Sequence, residues 1–109
     1  MSDINRLYLD DVRVPKDDTW LIFRSVSAIK AYILDYDSNL PLVMSLDHDL
    51  GDGVPTGYDF IAWYEEMIYT GVKLPRVKLI NIHSANPVGL RRMNMAVDSI
   101  MRYYQEEGL

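Results

Sequence analysis

Four aspartates, two histidines and a serine stand where short apolar runs end in this chain. The runs end in Asp10-Asp11, Asp47-His48-Asp49 and His83-Ser84. Val43-Met44-Ser45-Leu46 meets Asp47, and Gly51 turns the chain soon after. A short apolar run closed by a turn reads as a buried strand. Acids at such a strand end either cap loops in solvent or form a reaction centre at the carboxyl edge of a parallel sheet. Several carboxylates brought together repel one another unless they are protonated or share a cation. All-oxygen ligation suits Mg²⁺ or Mn²⁺. Asp10, Asp11, Asp47 and Asp49 are the candidate ligands. The plainer alternative is that one or two of them cap loops or pair with Arg13 and Arg24.

Both histidines of the chain, His48 and His83, lie at these ends and are candidates for acid/base work or phosphate contact. Ser84 could hydrogen-bond a phosphoryl oxygen or tie down its own loop. Asn86-Pro87 is a helix start, with Asn as cap and Pro at the first helical position. Its backbone N–H groups would offer an anion site at the same edge. Arg91 and Arg92, one turn further on, are a solvated face or a phosphate clamp.

The elements that must position these residues follow from periodicity. Strands are expected at Arg6–Leu9, Trp20–Arg24, Leu42–Asp47 and Val77–Ile82. Ile29, Tyr32, Ile33 and Tyr36 recur at helical spacing after a cap at Ser25 or Ser27. Thr56 and Asp59 form a capping-box pattern ahead of Phe60, Ile61, Tyr64, Met67 and Ile68. Leu90, Met93, Val97, Ile100 and Tyr104 mark the core stripe of a last helix. Strands alternating with amphipathic helices predict a mostly parallel sheet under helical cover. The first two strands are joined by a short polar loop without a helix. Either a crossover helix is missing there or the second strand runs antiparallel at an edge.

At 109 residues and 49% hydrophobic composition the chain is read as one globular domain, 1–109. It has no cysteine, so disulfides and thiolate metal sites are excluded. No signal peptide or membrane span is expected, and the location expected is the cytoplasm. The net charge of −5 argues against a broad basic face for non-specific nucleic-acid binding. A small phosphorylated substrate remains compatible, because a bound cation reverses the local sign. The eight tyrosines could stack on bases or form an interface.

An acidic pair after the first strand, an Asp ending a later strand and a Ser ending the next resemble the receiver domain of response regulators. Leu7-Tyr8-Leu9-Asp10-Asp11-Val12-Arg13, Ser45-Leu46-Asp47-His48-Asp49-Leu50-Gly51 and His83-Ser84-Ala85-Asn86-Pro87-Val88-Gly89 resemble, more specifically, the cyclic-phosphate processing receiver domain. This is a divergent family of bacteria and phages, and the resemblance spans about residues 6 to 104. It implies a flavodoxin-like, receiver-like three-layer sandwich with a shortened, mostly parallel four-stranded sheet. It also implies Mg²⁺ held by the acidic pair, Asp47 as phosphoryl acceptor, Ser84 at the phosphate, and processing of cyclic phosphate ends in RNA repair; the reading adopted for the metal is Asp10, Asp11 and Asp47 as ligands. The expected function is a Mg²⁺- or Mn²⁺-dependent phosphoesterase acting on a nucleotide or RNA phosphate end. Asp47, His48 and His83 would be catalytic, and Arg13, Ser84 and Asn86 would contact phosphate. Water or Asp47 itself would be the nucleophile. Ordinary receivers carry a Lys at the end of a fifth strand. Neither Lys73 nor Lys78 is placed to replace it, so phosphorelay signalling is not expected. The alternatives are a non-catalytic phospho-accepting or metal-binding switch, or a phage-encoded interaction protein.

Overall fold

A computed structural model describes residues 5–84 and 86–106 of the chain. Residues 1–4 and 107–109, and Ala85 within the third motif, lie outside these residues. Four strands and three helices follow in the order β1 (Asn5–Leu9), β2 (Trp20–Phe23), α1 (Val26–Leu34), β3 (Leu42–Leu46), α2 (Gly57–Tyr69), β4 (Val77–Ile82) and α3 (Pro87–Glu106). The sheet order is β2-β1-β3-β4, and every pairing is parallel. The direction of the second strand, open in the sequence, is therefore parallel.

The helices start where side chains can satisfy their first N–H groups. The Ser25 hydroxyl accepts from Ala28 N–H at α1. Thr56 and Asp59 complete a reciprocal capping box at α2. Asn86 Oδ1 accepts from Val88 N–H and Gly89 N–H at α3.

Register decides which face each strand residue serves. Leu7 pairs with Met44 and Leu9 with Leu46, and these pair onward with Ile80 and Ile82. Paired residues project from one face. This face joins Ile29 and Ile33 of α1, Phe60, Ile61 and Tyr64 of α2, and Met93 and Ile100 of α3 in a single core. Right-handed crossovers explain the arrangement. The steps β2 to β3 and β3 to β4 cross the sheet in the same direction, so α1 and α2 share a face. Helix α3 lies beside α2: the Tyr69 hydroxyl donates to Ser99 O, and the Tyr64 and Tyr104 hydroxyls both donate to Pro75 O.

The step from β1 to β2 runs the other way, so its connection passes over the opposite face. That connection is the loop 10–19, whose Val14–Asp18 stretch borders Trp20 and Ile22 on that face. A chain spans about 3.3 Å per residue when extended, so this loop easily returns along the four-residue β2. The fold is the receiver-like α/β fold with an all-parallel sheet. Among the described residues, a strap stands where a third, helical layer was expected. Tyr8, Ser45 and Leu79 therefore lie on a face without helical cover.

Candidate metal and phosphate site

Three backbone bonds set the strand ends side by side. Asp10 N–H donates to Phe23 O, Asp47 N–H to Leu9 O and His83 N–H to Leu46 O, at 3.1, 2.9 and 2.9 Å. Asp10, Asp47 and His83 each stand one step past a strand, two residues beyond Tyr8, Ser45 and Asn81. By alternation all three point to the strap face. His48, one residue on from Asp47, falls on the helix side.

Asp10 is fully buried and is held by both oxygens. Oδ1 accepts from Val12 N–H and Arg13 N–H at 3.0 and 2.8 Å, which shapes the start of the strap. Oδ2 lies 3.0 Å from His83 Nε2. Burial by itself would raise the pKa of this carboxyl. The Arg13 and Val12 N–H donors and the His83 contact outweigh it and hold the pKa below the ordinary value. An ionised Asp10 can only accept, so His83 Nε2 carries a hydrogen. His83 Nδ1 is 2.7 Å from the Ser45 hydroxyl, and the imidazole stacks on Tyr8 at 4.5 Å with 7° between planes. Both ring nitrogens of His83 are thus engaged.

Asp47 behaves oppositely. Burial and the charge of Asp10 raise its pKa, against the His48 N–H that donates to Oδ1 at 2.8 Å. A buried carboxylate facing another is relieved by a cation. Asp10, Asp11 and Asp47 each present a ligand atom, all within 4.8 Å of one another. Three hard oxygen donors suit a Mg²⁺-like ion, and Asp10 retains a lone-pair direction after its three hydrogen bonds. Asp49 is exposed and hydrogen-bonds His48 Nδ1 at 2.9 Å, outside this trio. It faces the same open cleft, of about 420 Å³, bordered by Asp11, Arg13, Asp47, Gly51 and Asp52.

Arg13 and Arg24 do not pair with the acids. Arg13 Nη1 donates to His83 O at 2.9 Å, which ties the strap to the end of β4. Arg24 Nη1 donates to Asp10 O and Arg13 O and braces the strap. Ser84 Oγ accepts from Asn86 N–H at 3.1 Å, so it does tie its own loop, and its hydroxyl hydrogen remains available. The Asn86 carbonyl occupies the N–H groups of Val88 and Gly89 that an anion would use. His48 is packed under α3: a Cβ on Gly89 would come within 2.3 Å of its ring. A Cβ on Gly57 would meet Asp47 O at 1.8 Å, and Gly57 N–H donates to His48 O at 2.8 Å. Neither imidazole borders the cleft.

Ser45, Tyr8, Gly57 and Gly89 escaped the sequence reading. Ser45 had a signal, as a polar residue inside an apolar strand. The two glycines close to helix starts had one too, since close approach is a standard reason for glycine. A second cleft, of about 240 Å³, lies at the amino edge between Leu40, Lys73, Pro75 and Tyr103. It gathers no carboxylate or imidazole, which leaves the chemistry at the carboxyl edge.

The family model described as the cyclic-phosphate processing receiver domain matches residues 5–99. No curated protein and no solved structure matches the chain.

Proposed function

We propose, from the premise that this chain belongs to the cyclic-phosphate processing receiver domain family, that it is a metal-dependent phosphoesterase acting on cyclic phosphate ends of nucleotides or RNA. The observation that carries the reading is the Asp10-Asp11-Asp47 trio, with Asp47 driven toward protonation by burial and by Asp10. Asp10, Asp11 and Asp47 would hold Mg²⁺ or Mn²⁺, which when bound offsets phosphoryl charge and activates water. His83 acts as a positioning residue that fixes Asp10 Oδ2, and Ser45 fixes His83 in turn. His48 orients Asp49 at the cleft rim. Arg13 spends one of its five donors on His83 O, and the others would serve phosphoryl oxygens. The Ser84 hydroxyl adds a neutral donor, and Asn86 supports it through the α3 cap. In the reaction, water attacks phosphorus and one of the two ester P–O bonds breaks. The departing ribose oxygen takes up the proton that the water loses.

The test is incubation with Mn²⁺ and an oligoribonucleotide ending in a 2′,3′-cyclic phosphate, with the product phosphate followed by chromatography. Conversion to a monophosphate end that drops at least about 100-fold in Asp47→Asn is expected. Calorimetric metal binding without any conversion would sink the enzyme reading. The competing reading, a phospho-accepting switch, rests on the position of Asp47 alone. It is disfavoured because Lys73 precedes β4 and Lys78 sits near its start, both away from the carboxyl edge. A stable phosphoprotein formed from acetyl phosphate and Mg²⁺ would favour it.

A further inference from the structure

Helices α2 and α3 leave the site together, and the groove between their outer faces carries its own chemistry. It is bordered by Tyr58, Glu65, Arg92, Met95, Ser99 and Arg102 and has a volume of about 400 Å³. Tyr58 directly follows Gly57, the residue pressed against Asp47 O. Arg92 lies one turn beyond Gly89, the residue pressed against the His48 ring. The groove therefore opens at the carboxyl edge, beside the Asp47-His48 turn. Arg92 and Arg102 are ten positions apart on α3, so at 1.5 Å per residue they bracket about 15 Å of groove.

The Arg92 guanidinium sits 4.1 Å above the Tyr58 ring centroid. Tyr58 packs against the core, whereas Arg92 is exposed. The result is a guanidinium held on an aromatic base with its outer side open to solvent. Unstacked bases settle on arginine planes of this kind, and flanking cations track the phosphate chain. Met95, 67% exposed, adds an apolar surface between the two arginines. Among the described residues that line the groove, a single acid, Glu65, stands against the two arginines, in a protein whose net charge is −5. A local cationic lane in an acidic molecule is complementary to a polyanion and selective for one that enters along it.

We infer that the α2/α3 groove binds the single-stranded segment leading to the terminal phosphate, with a base stacked on Arg92 and a backbone phosphate at Arg102. This rests on the reading that the carboxyl-edge site acts on a nucleic-acid end, and it adds the strand-binding surface to that site.

The experiment separates the two claims by removing the metal and the terminal phosphate. A fluorescein-labelled oligoadenylate of about eight nucleotides with a plain 3′-hydroxyl is titrated in EDTA and followed by anisotropy across a salt series. Wild-type protein is expected to bind. Arg92→Ala with Arg102→Ala, both at exposed positions, should weaken binding at least about tenfold and flatten the log–log salt slope by about 0.7, for the one phosphate at Arg102. The matched double change Lys73→Ala with Lys78→Ala removes equal charge elsewhere and should leave binding unchanged. Absence of wild-type binding, equal losses in the two double variants, or equally tight binding of an oligoglutamate peptide would each overturn the inference. Groove binding that persists while cyclic-phosphate conversion is absent would overturn the catalytic reading alone.

Discussion

Asp10 and Asp47 are neighbouring carboxylates that titrate in opposite directions. The pKa of Asp10 is lowered, so its contribution to stability is present above the unfolded value of about 3.9 and is lost as pH falls through the folded one. The pKa of Asp47 is raised, so stability is greatest when it is protonated and is lost as pH rises through its folded value. Asp47→Asn keeps the oxygen that accepts from His48 N–H and removes the repulsion. In metal-free buffer at pH 7 its melting temperature should therefore exceed that of wild type, with the difference closing below about pH 4. Asp10→Ala strands two N–H donors and the His83 ring, and should cost about 2–3 kcal/mol in urea unfolding. The same sign for both variants would mean that the pair is not coupled in this way. His83 and Ser45 belong to this scale as well. Conversion by His83→Ala should fall with metal affinity, because the ring holds a ligand in place.

The helices reach the site by close approach at two glycines, and the two approaches differ in kind. At Gly57 the obstacle is the Asp47 carbonyl, which is backbone and cannot yield. Gly57→Ala should cost about 3 kcal/mol or more, and removing the His48 side chain should not restore it. At Gly89 the obstacle is the His48 ring, a side chain. Gly89→Ala should cost less, about 1–3 kcal/mol, and His48→Ala should recover most of it in a double-mutant cycle. Thermal or urea unfolding of the three single and two double variants reads both outcomes. Equal rescue at the two glycines would show that α2 and α3 are not seated independently on the Asp47-His48 turn.

For the whole molecule, the chemistry and the core lie on different sides of one sheet. The core fills the helix face, so Tyr8, Asp10, Ser45, Asp47 and His83 are free to form a polar chain on the other. A cation that binds only the folded protein should raise stability by about 1.4 kcal/mol per tenfold excess over its Kd. Wild-type melting temperature should climb with added Mn²⁺, whereas Asp10→Asn with Asp47→Asn should stay level. A level wild-type curve would remove the metal from the proposal. No helix among the described residues is long and apolar enough to cross a membrane. The alternating pattern, the caps at Ser25, Thr56 and Asn86, and the polar residues at three strand ends were legible in the sequence, because they depend on periods and near neighbours. The grouping of Asp10, Asp11 and Asp47 followed once the strands were taken as parallel neighbours. Other features depended on register and handedness, which no local pattern encodes. The direction of β2 and the absence of a helical third layer among the described residues came from the sense in which each crossover steps across the sheet. The division of labour between His83, bonded to Asp10, and His48, packed under Gly89, came from strand alternation. At the end of β4 that alternation turns one imidazole toward the acids, and at the end of β3 it turns the other toward the helices.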